Sequence, residues 1–127
     1  MENCESRPKI LDFGCGNGVT LSQYIIKEGI DYVGVDFHNP SLEYARENFG
    51  AENARFVSSV PKNEKFDIII YSEVLEHLEN PAEILKLHSS ILKAGGFVLG
   101  SIPNGFGLTE IEKYIDQKLR LYKIIRG

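Results

Sequence analysis

Residues 10–18 read Ile-Leu-Asp-Phe-Gly-Cys-Gly-Asn-Gly. A short apolar run is followed by glycines at alternate positions, with an acid, Asp12, two residues before the first of them. The apolar run suits a buried strand. The glycines suit a turn in which backbone must approach a ligand closely, because a side chain there would block it. A second acid, Asp36, closes the next strand-like run, Tyr-Val-Gly-Val-Asp at 32–36. Two acids flanking a glycine turn suit a ligand with a ribose and a positively charged group.

Outward from this turn the chain alternates strand and helix. Strands are expected at Lys9–Phe13, Asp31–Asp36, Arg55–Val57, Phe66–Tyr71 and Phe97–Ile102. Helices are expected at Val19–Glu28, ended by Gly29, at Pro40–Phe49, at Pro81–Lys93, stopped by Gly95-Gly96, and at Thr109–Ile125. The last opens on a capping-box pattern, Thr109 with Glu112, and carries Ile111, Ile115, Leu119 and Tyr122 on one face. Repeated strand–helix–strand units predict a doubly wound, mostly parallel, five-stranded α/β sheet. Such sheets bind ligands at the C-terminal ends of their strands, near the reversal of strand order. The glycine turn, Asp36, Ser58–Val60 and Tyr71–Glu73 all fall at such ends.

The chain has 127 residues, 43% of them hydrophobic, and a formal charge of −4. That suits one core domain, residues 9–127, behind a disordered or extended N-terminus at 1–8. The acidic balance gives no general argument for nucleic acid or membrane surfaces, although a local basic patch could still bind RNA. No run of ~18 apolar residues suggests a membrane span. The two cysteines, Cys4 and Cys15, and an N-terminus without a basic-then-apolar order fit a reducing cytoplasm.

A glycine turn alone discriminates poorly. A nicotinamide dinucleotide would call for Gly-x-Gly-x-x-Gly, but Val19 stands at the third position and Gly18 comes one residue early. The same turn also joins strands to helices where no ligand binds.

Residues 10–18 resemble the first motif of class I S-adenosylmethionine-dependent methyltransferases, in which an acid precedes the glycine loop by two residues. Asp36 in Val-Gly-Val-Asp-Phe resembles the family's ribose-binding acid. Phe66–Pro81, with its Ser-Glu-Val-Leu-Glu-His-Leu core, is similar to the fourth-strand motif of the subgroup that includes the ubiquinone-biosynthesis O-methyltransferases. Leu92–Gly96 resembles the turn before the family's fifth strand. The resemblance runs from about Lys9 to Asn104.

This resemblance implies a Rossmann-like fold, S-adenosylmethionine as methyl donor and S-adenosylhomocysteine as product. Gly14, Cys15 and Gly16 would approach the methionine part, and Asp12 would hold the loop and the ammonium side. Asp36 would take the ribose hydroxyls. Phe37 would pack on adenine, or else belong to the core. Ser59 and Val60 stand where many relatives carry an acid facing the adenine amine, so recognition there would rest on backbone groups. Tyr71 and Ser72 end the fourth strand, where a backbone carbonyl commonly meets the ammonium.

Glu73, Glu76 and His77, at i, i+3 and i+4, fall on one side of a helical turn. They could ligate a divalent ion, as Glu-x-x-Glu-His does in some relatives. Metal-free chemistry, with His77 as general base and Glu73 beside it, is the favoured reading. His88, mid-helix among leucines, reads as structural, and His38 as lining the cofactor's rim. The absence of Asn/Asp-Pro-Pro-Tyr and Pro-Cys motifs argues against nucleobase or glutamine amino-group and cytosine C5 chemistry.

The family's fold has seven strands, and the pattern here is truncated relative to it. The acceptor half is therefore the unread part. Three readings fit: a fragment of a longer chain, a dimer or partner covering the edge of the fifth strand, or the long helix shielding that edge. The function expected is O-methylation of a small molecule or sugar-type hydroxyl. The alternatives are a non-catalytic cofactor-binding module and, less favoured, a nicotinamide-dependent oxidoreductase.

Overall fold

A computed structural model describes residues 7–27 and 29–101, and the backbone alone of 102 and 122–126. Six strands form one sheet: β1 (Lys9–Phe13), β2 (Asp31–Val35), β3 (Ala54–Val57), β4 (Phe66–Ser72), β5 (Leu92–Ile102) and β6 (Tyr122–Arg126). Their order is β3-β2-β1-β4-β5-β6, and every neighbouring pair is parallel. Strand order reverses at β1, between β2 and β4, which places the glycine turn at the switch point.

The strands carry near-continuous apolar runs because both faces of the sheet are covered. Leu11, Phe13, Val33, Val35, Ile69, Tyr71 and Val98 pack with Leu85 of helix α3 (Pro81–Ser89). On the other face Tyr32, Ala54 and Phe56 pack with Leu42 and Ala45 of α2 (Asn39–Phe49) and with Cys15. Each of these helices has a side-chain cap. His38 accepts a bond from the Ser41 amide at α2, and Asn80 from the Glu83 amide at α3, with proline in the first turn of both.

Three expectations need correction. The helix expected over Val19–Glu28 is a single turn, α1 (Ser22–Ile25), with Leu21 before it offering no side-chain cap and no acid in its first turn. Without a cap or a favourable charge, apolar spacing alone did not extend it. The helix expected to run to Lys93 ends at Ser89. Leu92–Gly96 belongs instead to β5, as an irregularity: β4 pairs Phe66 with Leu92, then Ile68 with Phe97. Gly95, at φ 79°, supplies the left-handed residue that this bulge needs.

The third correction concerns the end of the chain. Tyr122–Ile125, placed by its spacing at the end of the long helix, lies in a strand, Tyr122–Arg126, paired with β5 from Val98↔Tyr122 to Ile102↔Arg126. Its Tyr-Lys-Ile-Ile-Arg composition suits a strand, and the β5 edge offers it a full ladder of backbone partners. The edge expected to lie open is therefore paired within the chain. The remainder of the expected Thr109–Ile125 helix, including its capping box, lies outside the described residues, as do the N-terminal segment 1–6 and Cys4.

Candidate active site

The glycine turn is held to β2 by its own amides. Gly14 and Cys15 donate to the Val35 carbonyl at 2.7 and 3.0 Å, and Gly16 donates to Asp36 Oδ2 at 2.9 Å. These three amides are thus used inside the protein. What the turn offers a ligand is close approach. A side chain at Gly16 would meet nothing within 4 Å, and its φ of 59° favours glycine. At Gly14, with φ 81°, an added Cβ would come within 2.8 Å of Val74 Cγ2. Val74 lies just after β4, so a bare backbone at Gly14 lets the post-β4 segment pack against the turn.

Asp36 is half-buried and bridges two segments. Its Oδ2 takes the Gly16 amide, and its Oδ1 takes the His38 amide at 2.9 Å. His38 is thus tied into the acid's own turn and caps α2. Phe37, between them, is 74% exposed. That exposure overturns the core alternative for this ring. Phe37 packs edge-on against Phe13, with centroids 6.2 Å apart. Phe13, Phe37, Ser59, Val60, Leu87 and His88 line part of a largely apolar cavity of about 480 Å3. Ser59 and Val60 are therefore gathered with Phe37.

Asp12 lies beneath the turn, 1% exposed. Its Oδ2 accepts a bond from the Tyr32 hydroxyl at 2.6 Å, and that hydroxyl is 2.5 Å from Ser22 Oγ. Its Oδ1 is buried with no hydrogen-bond partner. Burial pushes the carboxyl up to about 6, opposed by the Tyr32 bond and reinforced by the Asp36 charge. Cys15 is free and buried, its thiol pushed up to about 12 by burial and by Asp12 and Asp36, which makes it an unreactive packing group.

Tyr71 and Ser72 end β4 but face different surroundings. The Tyr71 ring is fully buried, stacked on His88 with its hydroxyl 2.7 Å from His88 Nδ1. Burial lowers the His88 pKa to about 4, so the ring is neutral and structural, as its place among leucines suggested. Ser72 lies beside Ser101 in the β4–β5 register, and both line an apolar cavity of about 390 Å3 with Ile10, Ile70 and Leu99.

Glu73, Glu76 and His77 are not brought onto one helical face. The turn after β4 is a 3-10 helix over Leu75–His77 only, and Glu73 stands before it at φ 53°, its amide bonded to Ser101. Among the described residues no three His, Cys, Asp or Glu side chains gather into a group that could hold a metal ion. The three side chains thus do not share the single helical face that their spacing allowed. The His77 side chain is 77% exposed, with Nε2 3.6 Å from Glu76 Oε1.

Sequence reasoning missed Tyr32, Ser22, Val74 and Ser101. One signal for Tyr32 was present: a hydroxyl-bearing ring followed in its strand by Val33, Gly34 and Val35, which when buried needs a polar partner.

The comparisons converge. The family described as "Methyltransferase domain" matches residues 1–123. The ubiquinone biosynthesis O-methyltransferase of Acinetobacter baumannii (strain AYE) is 30% identical over 105 residues, covering 76% of this chain and 44% of that protein. The chain thus spans less than half the length of that relative. A TehB-like SAM-dependent methyltransferase from Corynebacterium glutamicum superposes with a TM-score of 0.74 at 26% identity, over 87% of this chain and 64% of that one. PKMT2 from Rickettsia typhi, solved in complex with AdoHcy, shares the fold with a TM-score of 0.61 at 24% identity, over 72% of this chain and 20% of that one. With its glycine turn set between two strand-end acids at the switch point of a doubly wound sheet, and with the family match covering nearly all of its length, the chain belongs to the class I S-adenosylmethionine-dependent methyltransferases.

Proposed function

We propose that this chain holds the methyl donor in an O-methyltransferase acting on a small hydroxylated molecule. The observation that carries the donor assignment is the pair of carboxylates on either side of the glycine turn. Asp36 is fixed by two backbone amides and is half-exposed, ready to accept from the two hydroxyls of a ribose. Asp12 keeps a buried oxygen without a partner, which suits a cationic amine. Phe37, Ser59 and Val60 border an apolar cavity with room for a flat heterocycle. The residues present therefore fit S-adenosylmethionine. The S-adenosylhomocysteine complex of PKMT2 from Rickettsia typhi, which shares this fold, supports the reading.

Bound in this way, the donor supplies a methyl group already activated on a sulfonium. The protein's own work is to orient, to exclude water and to manage one proton. His77 is the candidate base for a substrate hydroxyl, because an imidazole nitrogen can accept a proton and this side chain is accessible. Glu73 stands two residues beyond Tyr71 in an uncommon backbone conformation and is the second candidate at this rim. Backbone at Tyr71 and Ser72 would border the donor's amine, as the family resemblance implies. The hydroxyl acceptor rests on the likeness to the ubiquinone O-methyltransferases, whose remaining length this chain does not span.

Titration calorimetry with S-adenosylmethionine and S-adenosylhomocysteine tests the donor. Heat with either supports it, and no heat with both refutes it. Transfer of a labelled methyl group to a panel of phenols and amines tests the acceptor, and labelling of amines alone would overturn the O-methyl reading.

A non-catalytic donor-binding module is the second reading, because the described residues carry the donor-side features while the hydroxyl acceptor rests on a likeness alone. It predicts donor binding without transfer. The described helix after the glycine turn has four residues, too short to offer a pyrophosphate the helix N-terminus that a dinucleotide fold supplies. No helix among the described residues is long and apolar enough to cross a membrane.

A further inference from the structure

Tyr32 and Ser22 belong to no strand-end motif, yet they are among the most buried polar side chains described. Tyr32 is 1% exposed and Ser22 is fully buried. Their hydroxyls and Asp12 form a line running from α1, through β2, to β1. A phenol carries one proton. Because Tyr32 donates that proton to Asp12 Oδ2, the bond between Tyr32 and Ser22 must use the serine proton. The direction is therefore Ser22 to Tyr32 to Asp12, and each donated bond strengthens the next.

The consequence lies at Asp12. One carboxylate oxygen is clamped and the other is left buried and without a partner. A buried acceptor in that condition costs stability, and use of the group by a ligand would account for it. We propose that Ser22 and Tyr32 form a hydroxyl relay that fixes the Asp12 carboxylate, with Oδ1 reserved for the cationic amine of the methyl donor, and that Tyr32 is a positioning residue for donor binding. This deepens the proposed function and rests on its assignment of the donor.

The relay also sets when Asp12 is charged. The groups facing it are Tyr32 and Asp36, with the Cys15 thiol in the turn and the Ser22 hydroxyl behind Tyr32. Of these, the Tyr32 bond is what favours the carboxylate form. Removing it raises the pH at which Asp12 ionises, and donor binding then requires a higher pH.

The experiment pairs two measurements on the full chain: Tyr32→Phe, which keeps the ring against Phe56, and Ser22→Ala, which keeps Tyr32 itself. The first is a carbon-detected NMR titration of the Asp12 carboxyl without ligand. The expected result is an upward move of its midpoint by about one pH unit in Tyr32→Phe and a smaller move in the same direction in Ser22→Ala. The second is the calorimetric affinity for S-adenosylhomocysteine at pH 6.5 and pH 8.5. Tyr32→Phe should bind several-fold more weakly than wild type at pH 6.5 and nearly as well at pH 8.5.

An Asp12 midpoint unchanged in both variants overturns the relay. A loss of affinity equal at both pH values overturns the positioning role and leaves Tyr32 a packing residue. If wild type binds no S-adenosylhomocysteine, the donor assignment fails, and the ligand-free titration still decides the relay. If Tyr32→Phe fails to fold, Ser22→Ala carries both measurements.

Discussion

Replacing Asp12 by asparagine should stabilise the ligand-free protein progressively more as pH rises from 4.5 to 7.5. The carboxyl moves from an ordinary 3.8 to about 6 on folding, chiefly because burial penalises its charged form. A shift of about two units corresponds to roughly 3 kcal/mol. The sign follows from proton linkage. Between pH 3.8 and 6 the native state binds more protons at this group than the unfolded chain does, so its contribution to stability falls as pH rises. About 2 kcal/mol of that fall lies between pH 4.5 and 7.5. Asparagine has no such slope. The amide brings its own penalty, since its NH2 group would stand where Asp12 has no partner, but that penalty does not depend on pH. The quantity to measure is therefore the stability difference between variant and wild type at each pH. Urea unfolding followed by circular dichroism at pH 4.5, 5.5, 6.5 and 7.5 gives it directly. The difference should shift by about 2 kcal/mol in favour of asparagine across the range, roughly 8 °C in melting temperature for a domain of this size. A difference that stays flat would refute the claim that Asp12 is buried and titrates there. The same variant should bind S-adenosylhomocysteine more weakly at every pH, because the oxygen meant for the amine is replaced or blocked.

Asp36→Ala removes the acceptor of the Gly16 and His38 amides and should weaken donor binding by about 1–3 kcal/mol in calorimetry; unchanged affinity would remove Asp36 from the site. Gly14→Ala combines an unfavourable φ with a 2.8 Å approach to Val74 Cγ2 and should cost about 2–4 kcal/mol in chemical denaturation. Adding Val74→Ala should recover the steric part and leave the backbone part, so full recovery would show that φ is not limiting. His88 has its pKa lowered to about 4, so wild type should lose stability as pH falls from 6.5 towards 4, and His88→Gln should lack that loss in the same unfolding series. This slope opposes that of Asp12 in one pH window, so variant-minus-wild-type differences are the informative measurement. His77→Ala should lower kcat for methyl transfer while leaving donor affinity within about twofold; loss of donor affinity instead would move His77 from acceptor chemistry to the cofactor site.

The alternation of apolar runs with glycine stops was enough to read the doubly wound sheet, the switch point and the positions of Asp12 and Asp36. These depend on local chemistry: β-branched runs, tight turns that need glycine, and acids at strand ends. Long-range pairing was not readable in the same way. Tyr122–Arg126 carries helical spacing as well as strand composition, and it is a strand because β5 presents an unpaired ladder beside it. Gly95-Gly96 reads as a helix stop, yet it makes a bulge inside β5, since Phe66 and Ile68 of β4 set the register on either side. Glu73, Glu76 and His77 have the spacing of one helical face, but the chain takes only a three-residue turn there.

The sequence by itself determined the glycine turn and the two acids proposed to hold the donor, because close approach and paired carboxylates are properties of the residues in that stretch. Only the tertiary structure decided how the site is held. It spent the turn's amides on Val35 and Asp36. It exposed Phe37 beside Ser59 and Val60, and it brought Tyr32 against Asp12 and Ser22 against Tyr32 across twenty and ten residues of sequence. Those contacts depend on which strands lie side by side, a choice made by the burial of the whole sheet.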